Sequence, residues 1–305
     1  MKINVACIQM ASRPFDWDYN IQKAKSMIEE AKQNGAQICL LPELFVPGYS
    51  YSEKNYKNAE SINGKTISFL TDLAKNLEVY LSGSIIEKEN NDLYNSMFFI
   101  GPNGLIGKYH KINVFSLENK FFRKGNEGVI VDTKFGSVGL AICADMKYVK
   151  LWEYYNGKVD LILVCSAWPE PPEGSNSSYW EHETKLGKEL PVKISDLFKV
   201  PVAYCNACHS FKGETSFVHK LDLAGFSKIV DKGNIVVSLN NREEGIIQGF
   251  VDRPEESHSI NHEEFKEWVK YPLNEKIINF AVKNIVRIFA KRSYKKNLKT
   301  NNKKK

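Results

Sequence analysis

Three apolar, strand-like segments of this chain each lead into one chemically reactive residue. Segment 38–43 ends in Glu43, segment 107–111 ends in Lys111, and the apolar run within segment 138–145 ends at Cys143. Parallel-type α/β sheets place ligands at the carboxyl ends of their strands. The three reactive groups are 68 and 32 residues apart in sequence, and the pattern predicts that they converge on one crevice.

The hydrophobic pattern of the rest of the chain predicts alternating helices and strands. A helix is predicted at 19–34, because Ile21, Ala24 and Ile28 recur at helical spacing and Gly35 ends the pattern. Further helices are predicted at 66–76, 149–155 and 186–198, and strands at 2–9, 37–41, 79–86, 93–100, 129–132, 137–142, 159–165, 202–205, 226–230, 235–239 and 245–252. Two successive β-α-β sequences that end in hairpins predict an α/β fold, one domain with two sheets between outer helices.

Further motifs accompany the three reactive residues in a fixed order. They are 4–9, Asn20, 41–44 and 47–49, then 107–111, Glu118 and Gly125, then 139–145, with later matches at 202–206 and 225–227. In order and spacing these blocks resemble the nitrilase superfamily of carbon–nitrogen hydrolases, over nearly the whole chain to about residue 252. The resemblance implies a four-layer αββα sandwich and a hydrolase domain over residues 1–275.

The resemblance assigns a catalytic triad to Glu43, Lys111 and Cys143. Cys143 would attack the carbonyl carbon of an amide, since a nearby base and cation make its thiolate available. Glu43 would take the thiol proton and return it to the departing amine, and Lys111 would hold the oxyanion. Residue chemistry alone does not separate Lys111 from Lys108.

Four further residues are expected to support the triad or position the substrate. Glu118 matches a further glutamate that lies near the family's lysine; the alternative is a surface carboxylate within 116–120. The backbone N–H of Ala144 would assist Lys111 in holding the oxyanion. The pocket itself is expected to be shaped by Tyr49, Trp168, Trp180, His110 and the loop 169–179.

The chain departs from the common family pattern beside the triad. His110 stands where arginine is frequent, Asn113 stands where histidine is frequent, and segment 145–150 lacks the usual arginine and the proline–glutamate pair. These positions line or support the pocket, so they leave the substrate class open.

The function that follows is hydrolysis of a small linear amide or N-carbamoyl compound through a thiol ester. Two alternatives use the same triad, namely acyl transfer to an amine or hydroxyl and hydrolysis of a nitrile. A third, from a different class, is a basic-tailed binding protein that keeps a vestigial site. The intact set of Glu43, Lys111 and Cys143 argues against that third alternative.

Cysteine usage predicts no disulfide framework, no metal and no cofactor. Of six cysteines, Cys7, Cys39 and Cys165 lie in strand-like apolar runs, where a thiol acts as a small hydrophobe. Segment 205–209 fits the pattern for covalent haem attachment. That chemistry requires export, and no signal peptide is expected here. Zinc on this segment, with His209 or His219, is disfavoured because no second ligand pair has the usual spacing.

The basic charge of the chain belongs to its C-terminal end. The net charge is +6, but residues 287–305 contain nine basic and no acidic residues, which leaves 33 basic and 36 acidic residues elsewhere. We expect no nucleic-acid partner and a cytoplasmic homodimer or higher homo-oligomer. Apolar residues at helical spacing predict an amphipathic helix at 276–292 that docks on the protein and not on a membrane, followed by a disordered basic tail at 293–305.

Overall fold

Two six-stranded sheets form the centre of the protein, as described by a computed structural model. The described residues are 1–171, 177–211, 221–266 and 268–271, with 276, 280, 288–290 and 292–294. The strands of the first sheet are β1 (Lys2–Gln9), β2 (Ile38–Leu40), β3 (Tyr80–Glu89), β4 (Asp92–Gly101) and β5 (Gly104–His110). Those of the second are β6 (Ile130–Thr133), β7 (Gly136–Ile142), β8 (Leu161–Ser166) and β9 (Val202–Asn206). The chain continues with β10 (Ser210–Phe211), β11 (Leu221–Asp222), β12 (Lys228–Asp231), β13 (Asn234–Ser238) and β14 (Gly245–Asp252).

Both sheets are mixed, with parallel pairs at their centres. The first sheet has the order β14-β1-β2-β3-β4-β5, in which β1–β2 and β2–β3 are parallel. The second has the order β13-β12-β9-β8-β7-β6, in which β7–β8 and β8–β9 are parallel. β10 and β11 form a separate two-stranded ribbon. The parallel strands of both sheets therefore end at edges where reactive side chains can meet.

Side-chain alternation along β1 shows why the strands are apolar on both faces. Ile3, Val5 and Cys7 pack into the core between the two sheets, whereas Ala6 and Ile8 pack into the core beneath the outer helices. Successive strand side chains point to opposite faces, so a sheet covered on both sides needs near-continuous apolar runs. The predicted strands were recognisable for this reason.

Helices cover the outer face of each sheet. They are α1 (Trp17–Gln33) and α2 (Lys65–Leu77) on the first sheet, α3 (Val149–Tyr155) and α4 (Ser178–Phe198) on the second, and a short α5 (His262–Lys266). The Asp16 side chain caps α1 by accepting a hydrogen bond from the backbone N–H of Tyr19 at 3.1 Å. The predicted four-layer αββα sandwich is confirmed.

The largest error in a predicted boundary is at the start of α4. The helix predicted at 186–198 begins at Ser178, so part of the predicted loop 169–179 is helical. Gly187 and Pro191 weaken the helical signal in this segment, but helix formation is supported by buried Tyr179, Leu186 and Leu190. The described part of the chain contains no helix long and apolar enough to span a bilayer.

Most of the predicted helix 276–292 and of the predicted basic tail 293–305 lies outside the described residues. The described positions 288–290 and 292–294 are helical. Among them, Tyr294 donates a hydrogen bond from its hydroxyl to Asp92 at 2.9 Å. The division into a hydrolase domain, a helix and a tail stays a prediction.

Candidate active site

The carboxyl ends of three strands bring Glu43, Lys111 and Cys143 close together at the wall of one cavity. Glu43 follows β2, Lys111 follows β5 and Cys143 follows β7. The Nζ atom of Lys111 lies 2.7 Å from Oε1 of Glu43, and Lys111 and Cys143 both line the cavity. The structure therefore places the three predicted residues together, as the strand-end argument required.

Cys143 occupies a strained position at the start of a short turn. Its φ is +48°, in the left-handed region, and it begins a 3₁₀ turn over Cys143–Lys147. Asp145 holds the turn: Oδ2 accepts hydrogen bonds from the Ile142 backbone N–H at 3.0 Å and the Tyr109 hydroxyl at 2.7 Å. Strained backbone of this kind persists only where the surroundings fix it, and it is concentrated at functional sites.

Asn113 adds a second support to the same turn. Its backbone N–H donates to Oδ1 of Asp145 at 2.7 Å, and its side-chain Nδ2 donates to the Ala144 carbonyl at 2.6 Å. The amide performs this task where the family more often has histidine. The difference from the family pattern at Asn113 therefore changes a residue that supports the Cys143–Lys147 turn.

Glu43 is a buried carboxylate with donors on both oxygens. Oε1 accepts from Lys111 and from Nδ2 of Asn95 at 2.7 Å, and Oε2 accepts from the backbone N–H of Ala167 at 2.8 Å. Burial raises the pKa of Glu43 to about 6; the attraction of Lys111 opposes this shift and the charge of Glu118 adds to it. A pKa near neutrality suits a group that both accepts and returns a proton.

Lys111 is shared between two carboxylates. Besides Glu43, its Nζ contacts Oε1 and Oε2 of Glu118 at 2.8 and 2.9 Å. Burial disfavours the charged amine, but the charges of Glu118 and Glu43 outweigh it and hold the pKa of Lys111 well above its usual value. Lys111 is therefore a permanent cation inside the cavity wall.

Glu118 is fully buried, so the alternative of a surface carboxylate is wrong. Its Oε2 accepts the backbone N–H of Phe115 at 2.7 Å, and its Oε1 accepts the hydroxyl of Tyr49 at 2.9 Å. These contacts fix the carboxylate against Lys111. The predicted positioning partner thus lies where it can orient the lysine.

The Cys143 thiol is protonated at neutral pH. Burial raises its pKa, and the carboxylate of Glu43 raises it further, while Lys111 and a hydrogen bond with Ser166 act in the opposite direction. A thiol in this state becomes nucleophilic only as a base removes its proton. Glu43, a buried carboxylate with a pKa near neutrality, lies close enough to influence the thiol and can act as that base.

The cavity is small and largely aromatic. Its volume is about 130 Å³, smaller than the roughly 300–1,000 Å³ of drug-sized sites. Tyr49, Trp168 and Trp180, which were expected to shape the pocket, line it together with Ala144, Tyr51, Phe115, Leu117, Ala167, Pro169 and Tyr179. The dimensions fit a small substrate.

Trp168 is fixed by close packing against α4. Its Nε1 donates to the Glu183 carbonyl at 2.8 Å, and its backbone N–H donates to Oδ1 of Asn206 at 2.7 Å. A Cβ atom at Gly187 would lie 2.7 Å from the indole ring. This approach requires glycine, which explains why a residue that weakens the helical pattern stands within α4.

His110 is not part of the cavity lining, so its predicted role there is wrong. Its Nε2 lies 2.7 Å from Oε2 of Glu87, and its ring stacks on Tyr94 at a centroid distance of 4.0 Å. Strand alternation explains this: within β5 the side chain faces away from the sheet face that leads to the cavity.

Sequence reasoning missed an ion pair in the cavity wall. Nζ of Lys147 lies 2.7 Å from Oε2 of Glu183, with both side chains almost completely buried. Lys147 stands within the segment that departs from the family pattern, which was a usable signal. No sequence signal pointed to Glu183, because the predicted helix began three residues after it.

The cysteines of the segment 205–209 lie in the protein interior. Cys205 and Cys208 are buried free thiols, and Sγ of Cys205 donates to the Ile8 carbonyl at 3.2 Å. His219, the other proposed ligand, lies outside the described residues.

Curated relatives of this chain carry nitrilase and amidase names. A nitrilase from Pyrococcus abyssi is 41% identical over 147 residues, covering 47% of this chain and 56% of that protein. A probable nitrilase from Schizosaccharomyces pombe is 32% identical over 267 residues, covering 83% of this chain and 89% of that protein. A human omega-amidase is 36% identical over 157 residues, covering 48% of this chain and 56% of that protein. The first and third alignments span only a little over half the relative's length.

Solved structures show the same fold. A carbon–nitrogen hydrolase from Helicobacter pylori superposes with a TM-score of 0.74 at 19% identity, covering 88% of this chain and 91% of that one. An amidase variant from Nesterenkonia sp., with an acetamide moiety added covalently at its active-site cysteine, gives 0.69 at 19% identity, covering 91% and 97%. Residues 4–257 match the carbon-nitrogen hydrolase family itself. The chain therefore belongs to this family, the nitrilase superfamily, and is an enzyme of the carbon–nitrogen hydrolase class.

Proposed function

We propose that this enzyme is an amidase that hydrolyses a small linear amide or N-carbamoyl compound through a thiol ester on Cys143. The observation that carries the proposal is the buried contact of 2.7 Å between Glu43 and Lys111 beside the Cys143 thiol. A cation and a nucleophile that line one small cavity, with a base buried directly behind them, are the parts that acyl transfer from nitrogen requires.

In the first step, Glu43 accepts the proton of the Cys143 thiol while sulfur attacks the carbonyl carbon. The C=O π bond becomes an oxyanion, for which Lys111 and the backbone N–H of Ala144 are the proposed donors. The three Lys111 N–H groups face one oxygen of Glu43 and two of Glu118. Protonation of Glu43 weakens its hold on Lys111, which frees a donor as the oxyanion forms.

In the second step, the tetrahedral intermediate collapses. The C–N bond breaks, the proton on Glu43 passes to the nitrogen, and ammonia or an amine leaves. Water, deprotonated by Glu43, then attacks the thiol ester. The C–S bond breaks, the acid departs, and the sulfur regains its proton from Glu43. Each proton taken is returned, so one carboxyl group serves both half-reactions.

The comparisons support this assignment without fixing the substrate. The human omega-amidase and the Nesterenkonia amidase are amidases by name, and the latter carries its acetamide adduct on a cysteine. Nitrile hydrolysis is the second candidate, because the relatives from Pyrococcus abyssi and Schizosaccharomyces pombe carry the name nitrilase. A nitrile would enter the same cysteine chemistry through a thioimidate.

Intact-mass spectrometry tests the proposal. The enzyme is incubated with a panel of small amides, N-carbamoyl compounds and nitriles, and an acyl adduct is expected that disappears in Cys143→Ala. Cys208→Ala is the matched control, because Cys143 and Cys208 are 8% and 7% exposed. An adduct, or inactivation by stoichiometric iodoacetamide, that tracks Cys205 or Cys208 would overturn the assignment.

Addition of hydroxylamine or an amine separates hydrolysis from acyl transfer. Hydrolysis predicts free acid as the main product at low amine concentration, with hydroxamate appearing only in competition with water. Predominant transfer to an amine at concentrations where water should win would favour the acyltransferase alternative.

A further inference from the structure

The residues that follow the family match pack against the Cys143–Lys147 turn, here called the cysteine turn. The match ends at residue 257, and residues 260–266 and 268–271, here called the C-terminal strap, follow it. Ile260, Phe265 and Trp268 of the strap are buried in the main core. Trp268 stacks on Trp152 at a centroid distance of 5.7 Å, so the strap docks against α3.

Trp268 reaches the main chain of the cysteine turn. Its Nε1 donates to the carbonyl oxygen of Met146 at 2.8 Å, and Nε1 of Trp152 donates to the same oxygen at 3.1 Å. Met146 is the fourth residue of the Cys143–Lys147 turn. The strap therefore hydrogen-bonds directly to the peptide unit three residues after the proposed nucleophile.

Each of the middle carbonyls of this turn has its own donor. Ala144 O accepts from Asn113 Nδ2 at 2.6 Å, and Asp145 O accepts from the Tyr148 backbone N–H at 2.8 Å. The donors to Ala144 and Asp145 come from within the matched region. Of these three carbonyls, that of Met146 is the one that accepts from beyond residue 257, within the part of the chain that the structure describes.

A second contact joins the strap to the cavity wall. The Tyr271 hydroxyl donates to Oε1 of Glu183 at 2.9 Å, and Oε2 of Glu183 pairs with Lys147 at 2.7 Å. Lys147 is the last residue of the same turn and lines the cavity. The strap is itself attached to α4, because Nζ of Lys193 donates to the Trp268 carbonyl at 2.8 Å.

We propose that the C-terminal strap positions the turn that carries Cys143, with Trp268 and Tyr271 as positioning residues. The inference rests on the proposed function of Cys143 as the nucleophile. The left-handed φ of +48° at Cys143 needs surroundings that over-determine it. Trp268 supplies such a restraint through the Met146 carbonyl, and Tyr271 supplies one through the Glu183–Lys147 pair.

The alternative is that Trp268 only fills the core. Phe265 offers a matched control, because its ring lies 5.9 Å from that of Trp268 in the same cluster but makes no hydrogen bond to the turn. Trp268→Phe removes the N–H and keeps an aromatic ring. Phe265→Leu removes comparable packing and leaves the Met146 contact intact.

The experiment measures kcat, KM, the melting temperature and the rate at which iodoacetamide alkylates Cys143, located by peptide mass mapping. Positioning predicts that Trp268→Phe lowers kcat and the alkylation rate about tenfold with KM unchanged, because small misplacements of reacting groups are costly. Phe265→Leu should lower the melting temperature similarly while both rates stay within about twofold of the wild type. Trp152→Phe combined with Trp268→Phe should slow the reaction by more than the product of the single effects, since no side-chain donor to Met146 remains.

Equal losses of melting temperature in Trp268→Phe and Phe265→Leu, with normal rates in both, would overturn the inference. Should Trp268→Phe fail to fold, Tyr271→Phe removes only a hydroxyl group and is expected to lower kcat and the alkylation rate of Cys143 about threefold, because Tyr271 restrains the turn through the Glu183–Lys147 pair. Normal values of both rates in that variant would likewise count against positioning. Activity retained by Cys143→Ala would overturn the proposed function itself, whereas normal Trp268→Phe beside an inactive Cys143→Ala overturns the strap alone.

Discussion

Two lysines three residues apart each bind two glutamates, yet their surroundings differ. Nζ of Lys108 lies 2.6 Å from Glu87 and from Glu89, and that of Lys111 lies 2.7 Å from Glu43 and 2.8 Å from Glu118. The Lys108 side chain is 29% exposed, whereas that of Lys111 is 1% exposed. The same residue types therefore form a surface cluster of Lys108 with Glu87 and Glu89, and a buried cluster of Lys111 with Glu43 and Glu118 beside the cavity.

The carboxylates of the two clusters have opposite pKa shifts. Burial raises the pKa of Glu87, but hydrogen bonds from His110, Lys108 and Ser96 outweigh it, and the pKa falls to about 2. In Glu43 burial prevails, and the pKa rises to about 6. Glu43 also accepts three hydrogen bonds, so the number of donors is not the difference. Its cationic donor, Lys111, is shared with Glu118, whose charge raises the pKa of Glu43, whereas no such neighbouring carboxylate offsets the hydrogen bonds to Glu87 among its main influences.

The surface cluster also resembles a metal site and illustrates why donor atoms alone do not define one. Ligand atoms of Glu87, Glu89 and His110 all lie within 4.8 Å of one another. The ammonium group of Lys108 lies 2.6 Å from both glutamates. A cation of the protein's own thus already pairs with both carboxylates.

The largest expected difference between the two clusters is in the loss of kcat/KM when Glu43 or Glu87 is replaced by glutamine. Glu43→Gln should lower kcat/KM by about 10³–10⁴, because it removes the base for both half-reactions and keeps the shape of the side chain. Glu87→Gln, the matched control, should leave kcat/KM within about threefold. Steady-state kinetics of both variants with one amide test this; equal losses in the two would remove the distinction between the clusters.

The lysines should differ by a smaller but still large factor. Lys111→Ala should lower the rate by about 10²–10³, the usual effect of losing one oxyanion donor. Lys108→Ala should stay within about threefold, because that side chain does not line the cavity. Near-normal turnover of Lys111→Ala would instead favour Lys108 or a hole formed by backbone donors alone.

Much of the fold was predictable, because sheets covered on both faces leave an unmistakable sequence pattern. β2, β8 and β9 are short, fully buried and mainly apolar runs, and the order of helices and strands followed from them. The convergence of Glu43, Lys111 and Cys143 followed from their strand ends. The start of α4 did not, because its first turns, residues 178–185, are mainly polar and follow a proline-rich stretch of sequence.

Properties that depend on tertiary neighbours could not be predicted. Nothing local distinguishes Lys111 from Lys108; the distinction lies in burial and in the second carboxylate, Glu118. The pairing of Lys147 with Glu183 joins segments 36 residues apart and depends on how α4 crosses the cavity. Sequence patterns specify which face of an element is buried, but they do not specify which charge lies opposite another.

The pH dependence of catalysis should follow Glu43. Because the base must be ionised, kcat/KM should fall as the pH decreases through about 6, the raised pKa of Glu43. Glu118→Gln should move this acid limb to lower pH, since the Glu118 charge contributes to raising the pKa. A pH–rate profile of both proteins checks the shift. Movement to higher pH would show that the acid limb belongs to another group.

The smallest expected effect is on stability, where the two glutamates should have opposite signs. The folded pKa of Glu87, about 2, lies below its unfolded value of 4.5, so its contribution is present above pH 4.5 and is lost as the pH falls towards 2. The contribution at neutral pH is on the order of 2 kcal/mol. Glu87→Gln should therefore destabilise the protein at pH 7 and flatten its stability between pH 4.5 and 2.

Glu43 should show the reverse dependence. Its folded pKa of about 6 lies above the unfolded value of 4.5, so its contribution is present below pH 4.5 and is lost as the pH rises through 6. Glu43→Gln should therefore leave stability at pH 7 equal to or above that of the wild type while nearly abolishing activity. Urea unfolding at pH 7 and pH 4 measures both variants, with Glu89→Gln as an exposed control that should change stability by less than about 1 kcal/mol. A Glu43→Gln protein destabilised at pH 7 as strongly as Glu87→Gln would mean that both ionised glutamates stabilise the fold. The free energy of unfolding would then contradict a raised pKa of Glu43.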